Sequence, residues 1–486
     1  MSLDLGIDPK PLAIDLFVAG AAVIVLLWDA LLPPALAKRS GALTAVLLLA
    51  ALALSFFVDT SGETAHGAYV GGAWPLFVKR VVLAAGVLGV LGASGWVEQR
   101  VPGRRGEYWL LMLLSICGMT LLAGARDLIL FVVCFELMGM PLYVLAAYGK
   151  NDGKGAKRFS ESALKMYLVG AASTAVTLFG LSFVVGSTGT TKIAELASSA
   201  PTPLLTVGML LVLAGTAFKI GAVPFHMWIP DTYEGSAMPF VAFLSVAPKA
   251  ATVAALVGLF GAGFGQAHPT WLSAVAIVSA ATMVIGNLLA VAQTSAKRLL
   301  GYSGVAQIGY VLLGLATGTR EGAAMVLFYA AGYVVTNMGA LLVVHAVAGD
   351  GDDSLERLHG LAKRTPWLAL AMLLFLLSLA GVPFVIGFWA KLWIMLAAWH
   401  GGLRWLVILG AALATIGLFY YLIVLKNAYM TEPKDERPVR VDPALAAAIV
   451  VCMLAVVGMG AYPTPFLEAA EHAAEGLFGT ASVALR

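Results

Sequence analysis

The sequence predicts an all-α polytopic membrane protein of about fourteen transmembrane helices, with two inverted five-helix repeats and helices broken at spans seven and twelve. Three observations carry this. The chain is 60% hydrophobic and only 12% charged, against roughly 25% charge in soluble domains, and its mean hydropathy is +0.91. Apolar runs of about 20 residues, the length that crosses a bilayer as helix, recur along its whole length. Finally, Gly221-Ala-Val-Pro224-Phe225 is echoed by Ala380-Gly-Val-Pro383-Phe384. Five spans lie between the two copies, and an odd separation inverts the second, the arrangement in which interrupted helices mark the ion site of many transporters.

Taken in order, the apolar runs are Leu12 to Leu32, Leu43 to Val58, Phe77 to Ser94 and Trp109 to Ala123, then Leu128 to Tyr148 with Glu136 as its lone charge. Leu164 to Gly186 follows, then Leu204 to Trp228 holding Lys219, and Met238 to Phe264 holding Lys249 directly after Pro248. Next come Trp271 to Ala292, Leu299 to Leu315 and Ala323 to Ala348. Trp367 to Trp399 contains Lys391 and is too long for one upright helix, so the Gly381-Val-Pro383 break is expected to unwind and restart it. Leu406 to Leu425 and Ala444 to Tyr462 complete the set. Unwound backbone at membrane depth is tolerated only where protein or water satisfies it, so both breaks should line a conducting route. Beyond Tyr462, an external amphipathic helix is expected, with Glu468, Glu471, His472 and Glu475 on one face and Phe466, Leu477 and Phe478 opposite.

Connections after odd-numbered spans carry eighteen Lys or Arg, including Lys38, Arg39, Arg100, Arg104, Arg105, Lys150, Lys154, Lys297, Arg298 and Lys434. The opposite side carries eight, among them Lys10, Lys79, Arg126, Arg320 and Arg486. Positive charge near span ends is retained in the cytoplasm, so both termini should face outward. The start, with two Asp and no basic n-region, does not read as a cleaved signal peptide. Nothing resembles a nucleic-acid surface. Cys117, Cys134 and Cys452 are scattered without C-x-x-C or His at ligand spacing, so no zinc site, iron–sulfur cluster or disulfide framework is signalled.

The chemistry sits in the charges inside the apolar runs. Even lenient scales charge roughly 2.5–3.5 kcal/mol for a Lys or Asp at mid-bilayer. Glu136, Lys219, Lys249 and Lys391 therefore need partners, water or a reason to change charge. Burial favours the neutral form of both groups and pairing favours the charged form of both, so Glu136 and Lys219 make a two-position switch for one proton. The bland alternative is a static ion pair that fixes helix register. Lys249 has no comparable buried acid and is the best single candidate for a proton carrier; Lys391 either shares that role or snorkels to the interface. Lys165 has Glu161 one turn before it, so an ordinary helix-surface salt bridge accounts for it as well. His226 and His345 suit relay work, or are packing residues. Tyr302, Ser303, Gln307 and Tyr310 form a stripe that either holds water or glues helices. Asp15 and Asp29 are expected near the ends of the first span, where solvation makes them unremarkable.

Four stretches, Phe135-Glu136-Leu-Met-Gly-Met-Pro141, Glu161-Ser-Ala-Leu-Lys165, Phe218-Lys219-Ile-Gly-Ala-Val-Pro224-Phe-His226-Met-Trp-Ile-Pro-Asp231 and Phe243-Leu-Ser-Val-Ala-Pro248-Lys249, resemble the antiporter-like membrane subunits of respiratory complex I, the proton-pumping NADH:quinone oxidoreductase. The resemblance implies that Glu136, Lys219, Lys249 and Lys391 are the family's path residues on spans five, seven, eight and twelve, and that Lys165 and His226 also serve it. It implies a translocase subunit in a bacterial inner membrane with no redox centre of its own. NADH, FMN, iron–sulfur clusters and quinone would be held by partner subunits, beside sister antiporter-like subunits in the bilayer. Lys391, where sisters often carry Glu, favours the N branch over M, and the short tail after span fourteen leaves no room for the long lateral helix of L. The organisation expected is 1–125 as four N-terminal spans, 126–264 as a first antiporter-like region, 265–428 as its inverted counterpart, and 429–486 as the last span and external helix. The rivals are a subunit of a cation/proton antiporter or membrane-bound hydrogenase, and a non-pumping structural scaffold.

Overall fold

The computed structural model describes residues 6–150, 155–265, 268–349, 351, 353–433 and 435–478; Lys154, Lys434 and Arg486 of the charge tally lie outside them. α1 (Ala13–Leu31), a single turn α2 (Pro34–Ala37) and α3 (Ser40–Leu54) lead into a hairpin, β1 (Glu63–Thr64) antiparallel to β2 (Tyr69–Val70), which pairs Glu63 with Val70. Then follow α4 (Ala73–Arg100), α5 (Arg105–Gly124), α6 (Leu128–Ala146), α7 (Ala156–Thr188), the one-turn α8 (Ile193–Leu196) and α9 (Pro203–Ile220). α10 (Trp228–Gly235), α11 (Met238–Leu244) and α12 (Ala247–Leu256) come next, α12 continuing through a π-helical stretch Val257–Gly263. α13 (His268–Val291), α14 (Ala296–Leu315), α15 (Arg320–Ala348), the short α16 (Leu361–Arg364), α17 (Pro366–Ala380), α18 (Ile386–His400), α19 (Arg404–Met430), α20 (Pro443–Ala461) and α21 (Thr464–Phe478) complete the order.

Local chemistry sets the boundaries. A helix start leaves backbone N–H groups without partners, and short polar side chains supply acceptors. Asp127 accepts from the N–H of Ile129 and Leu130 at the head of α6, Thr202 from Leu205 at α9, Ser295 from Arg298 at α14 and Asp442 from Ala444 and Leu445 at α20. Pro203 and Pro443, which have no N–H to leave unpaired, open α9 and α20.

Eleven helical stretches among the described residues are long and apolar enough to cross a membrane, fewer than the apolar runs counted from sequence. The other three runs differ for separate reasons. α3 has only 15 residues, α14 opens on Lys297 and Arg298 and carries Tyr302, Ser303, Gln307 and Tyr310 along its length, and the run holding Lys391 is divided into α17 and α18. The apolar part of the Met238–Gly263 stretch is wholly buried. Beside it runs α15, which packs on α4, α11, α12, α14, α17, α18, α20 and α21.

The two echoes fold alike. Gly221 and Gly381, both in the left-handed region at φ 75° and 86°, end α9 and α17. In each, the next residue's N–H closes back on the helix, Ala222 to Ala217 O at 2.9 Å and Val382 to Leu377 O at 3.0 Å. This six-to-one closure is the usual glycine helix stop. Aligned on their stops, the second break is two residues shorter than the first, five residues against seven. Each also exposes its phenylalanine, Phe225 and, more fully, Phe384.

Several expectations are corrected. Lys79 and Lys297, counted as loop charges, are 1% and 0% exposed. Asp15 is buried too, 2% exposed, because it pairs with Lys79 rather than reaching solvent. Phe466 lies exposed on α21, whose buried face is Ala470, Ala473, Ala474, Leu477 and Phe478 packed on α4 and α15. Small alanines allow that close approach, so α21 lies on the protein. Two short strands also qualify the all-α expectation.

Candidate functional site

Lys219, Lys249 and Lys391 are each buried, 7%, 1% and 7% exposed, and each sits beside an interruption in its run. Lys219 lies in the last turn of α9, two residues before the Gly221 stop. Its Nζ donates to Tyr143 Oη at 3.0 Å and sits over the Phe135 and Tyr143 rings at 5.1 and 4.9 Å. Gly139 makes this possible: a Cβ there would fall on the Lys219 Nζ. Glu136 stands one turn earlier on the same helix, half-buried, and accepts from Thr174 Oγ1 at 2.7 Å. Among the described residues, Glu136 and Lys219 form no direct ion pair. Each is held instead by a neutral hydroxyl, Glu136 by Thr174 and Lys219 by Tyr143.

Lys249 occupies the first turn of α12, just past the kink at Ser245 and Val246 between α11 and α12. Its Nζ is buried without a hydrogen-bond partner and lies 5.9 Å from the centre of the Tyr233 ring. The missing side chain of Gly304 opens the space around it, since a Cβ there would lie 3.3 Å from Lys249 Nζ and 2.9 Å from Tyr333 Oη. Tyr233 Oη, Tyr333 Oη and Asn337 Oδ1 are likewise buried without hydrogen-bond partners, while Asn337 Nδ2 donates to Ser245 Oγ at 2.9 Å.

Lys391 does not snorkel. From α18 it reaches back across the break and donates to Leu379 O at 2.7 Å and Ala380 O at 3.1 Å. These are terminal carbonyls of α17, which a helix end leaves without partners and which carry the negative end of its dipole. The ammonium also lies 4.9 Å from the Tyr310 ring centre. Leu379 O is shared: Gln307 Nε2 donates to it at 2.9 Å and to Tyr421 Oη at 3.1 Å. Tyr421 Oη in turn meets Ser303 Oγ at 2.5 Å, and Tyr329 donates to Gln307 Oε1. A cavity of about 10 Å³ lined by Gln307, Tyr329, Tyr333, Thr336, Ser378 and Leu379 adjoins this chain, about the space of one water. A hydrogen-bonded chain thus runs from Ser303, the residue before Gly304, through Tyr421 and Gln307 to the Leu379 carbonyl that Lys391 binds.

Lys165 lies apart from the buried three. Its side chain is 47% exposed and pairs with Glu161 at 2.9 Å, as its spacing predicted, and with Asp231 at 3.0 Å. Asp231 also meets Arg298 at 3.3 Å, and Arg298 meets Glu234 at 2.8 Å. A cleft of about 430 Å³ opens beside Glu161, Lys165, Asp231 and Glu234. His226 lies between α9 and α10, half-buried, its ring 6.3 Å from that of Tyr302.

Residues 125–417 match the family described as NADH:quinone oxidoreductase/Mrp antiporter, TM. The NADH-quinone oxidoreductase subunit N of Heliobacterium modesticaldum is 40% identical over 435 residues, covering 89% of this chain and 91% of that protein. The chain belongs to this antiporter-like family, in its subunit N branch. A chain of respiratory complex I from Thermus thermophilus superposes with a TM-score of 0.81 at 33% identity, covering 94% of this chain and 98% of that one. The fold extends further, to a chain of the Mrp complex from Dietzia sp. DQ12-45-1b with a TM-score of 0.85 at 24% identity, covering 99% and 98%.

The family match begins at residue 125, and the antiporter-like chain carries a buried ion pair ahead of it. Lys79 Nζ and Asp15 Oδ2 are 2.5 Å apart, and Tyr69 Oη from the hairpin donates to the same oxygen at 3.1 Å. Sequence reading missed Asp15, Lys79, Gly139, Tyr143 and Tyr421. A signal existed for Tyr421: it lies deep in α19, whereas membrane tyrosines concentrate at the interfaces. Gly139 gave none, since its meaning is a contact with another helix.

Proposed function

We propose that this antiporter-like chain carries protons outward across a bacterial inner membrane as a subunit of an NADH:quinone oxidoreductase. In this reading it has fourteen spans in two inverted five-helix repeats, broken at spans seven and twelve, with both termini outside. NADH, FMN, iron–sulfur clusters and quinone are handled by partner subunits. Protons arrive near Lys165 and Lys219, pass by water and Lys249, and leave from Lys391, with His226 also serving the path. Regions 126–264 and 265–428 supply the two halves of the route.

The observation that carries the reading is a set of unpaired polar side chains in the buried interior. Lys249 Nζ, Tyr233 Oη, Tyr333 Oη and Asn337 Oδ1 are buried without partners. An unpaired buried amine or hydroxyl is costly, and a scaffold that only fixed packing would do better with apolar side chains there. Around a proton carrier the same groups become assets, because they hydrogen-bond to transient water and to either form of the amine. The rest of the relay runs through Ser303, Tyr421, Gln307 and the Leu379 carbonyl to Lys391. Coupling enters at Glu136 and Lys219: driving them together favours both charges, separating them favours neutrality, so a modest helix movement changes proton affinity. Each proton moved against the membrane potential costs about 2.3 kcal/mol per 100 mV, which must come from redox chemistry in the partners.

The test is Lys249→Met in the intact, normally assembled complex, with proton uptake and NADH oxidation measured together in proteoliposomes. The proposal expects coupled transfer to fall with assembly preserved. Unchanged pumping defeats the carrier role, and loss of assembly alone favours the scaffold.

A further inference from the structure

Away from the buried lysines, the turn between α4 and α5 and the end of α6 enclose a cleft of about 350 Å³. Arg100, Arg104 and Lys150 stand on it with a single carboxylate, Glu107, and all four are exposed. Glu107 is engaged, accepting from Tyr148 Oη at 3.2 Å. Arg104 and Lys150 make no ion pair among the described residues. The lower wall is apolar: Leu111 on α5 and Val144 on α6, Val144 half exposed. Met140, one turn along the same face of α6, is 61% exposed. That strip of α6 continues the cleft down the outside of the bundle.

The two ends of the cleft differ in chemistry. Basic side chains at its rim and exposed aliphatic side chains along the α6 wall match an anionic phospholipid, with phosphate at the rim and acyl chain along the helices.

We infer that the cleft formed by Arg104, Lys150, Leu111 and Val144 is a binding site for one anionic phospholipid. The phosphate is held by Arg104 and Lys150, and an acyl chain lies over Leu111, Val144 and Met140. A neutral, zwitterionic lipid lacks the net charge the rim selects, and inorganic phosphate lacks the chain the wall receives. The lipid wedges the α4–α5 turn against the end of α6, the helix that carries Glu136 and Gly139.

The inference is tested on the purified, intact complex with photoactivatable phosphatidylglycerol and phosphatidylcholine carrying the reactive group on an acyl chain. Phosphatidylglycerol should label peptides containing Leu111 or Val144 in preference to phosphatidylcholine. One basic side chain near an anionic lipid surface accounts for about fivefold in binding, so Arg104→Ala with Lys150→Ala should reduce labelling about thirtyfold. Both side chains are exposed, and the bond from Tyr148 Oη to the Arg104 carbonyl survives substitution, so the variant should fold; Lys150→Ala alone provides a milder second variant. Millimolar inorganic phosphate should leave labelling unchanged. Equal labelling by both lipids, or labelling insensitive to both variants, overturns the inference. So does full competition by inorganic phosphate, which makes this an anion site, or protection of these peptides by a partner subunit, which makes it a protein contact.

Discussion

Gly139→Ala changes where the Lys219 amine sits without touching the amine itself. In the wild type, Lys219 Nζ occupies the space a side chain at 139 would need. It donates to Tyr143 Oη at 3.0 Å and lies over two aromatic rings. The obstructed atom is the far end of a flexible chain, so the backbone has no reason to move, and Ala in a helix is favoured over Gly by about 0.5–1 kcal/mol. The cost falls on the amine. A hydrogen bond from a charged donor contributes about 1.5–3 kcal/mol, and ring contacts add a fraction of that. Taking about 2 kcal/mol as the lost stabilisation of the occupied position, proton passage through Lys219 slows about thirtyfold. The assay is NADH-driven acidification of proteoliposomes carrying the variant complex, normalised to NADH oxidised and to assembled complex. The expected result is normal assembly and thermal stability with reduced proton transfer. Two outcomes refute the reasoning: pumping equal to wild type, which means the position of Lys219 is unimportant, or failed assembly, which means the substitution is not absorbed by the side chain.

Other expectations follow from the same geometry. Gln307→Leu removes the link between Tyr421 and the Leu379 carbonyl and strands the Tyr329 hydroxyl; proton transfer should drop about tenfold or more, measured as above, while Gln307→Glu retains part of it. At the N-terminal pair, Lys79→Met alone leaves Asp15 buried and uncompensated, at a cost of about 3–5 kcal/mol, whereas Asp15→Leu with Lys79→Met should recover most of the loss. Thermal unfolding of the purified complex for both singles and the double reads that coupling, and simple additivity would contradict it. On the surface, Lys10 bonds Asp59 at 2.7 Å and holds its carboxyl well below the usual carboxylate range. A depressed carboxylate stabilises the fold at pH above its unfolded value of about 3.9 and loses that contribution only as pH falls through the lower folded value. Hydrogen-exchange protection of the Leu12 and Ala13 amides, corrected for intrinsic rate, should therefore stay level from neutral pH down to about 4 and fall in Asp59→Asn.

How far the sequence disclosed all this depends on the kind of information each feature needs. Charged residues inside apolar runs and the echoed Val-Pro-Phe are local signals, and the burial of Lys219, Lys249 and Lys391 was legible from them. Pairing is not local. Asp15 and Lys79 lie on different helices, each near a helix start, where a charge ordinarily reaches solvent; only the hairpin that brings Tyr69 over them turns that end into interior. Lys297 misled for the same reason, being next to Arg298, which does reach the surface cluster with Asp231 and Glu234. Lys165 was foreseen through its i, i+4 neighbour, yet its second partner, Asp231, comes from α10 and has no sequence signature.

The two glycine stops share a backbone device but place their lysines differently. Both end their first half-helix on a left-handed glycine with the same closing hydrogen bonds, so the backbone device is shared. The lysines are placed on opposite sides of it. Lys219 precedes its stop and turns outward to Tyr143 on α6, leaving the Phe218 carbonyl to the indole of Trp228 at 3.0 Å. Lys391 follows its stop and bonds the Leu379 and Ala380 carbonyls itself. One amine is therefore bonded across to a neighbouring helix, whereas the other is bound to the negative end of the helix that precedes it. If that contrast matters to directional transfer, Lys391→Gln should preserve the carbonyl bonds and the fold while abolishing transfer, since an amide donates hydrogen bonds but carries no exchangeable charge. Lys219→Gln should slow transfer and also weaken its response to redox turnover. Matching losses in both variants, with identical dependence on turnover, would show that the two lysines do the same work despite their different placement.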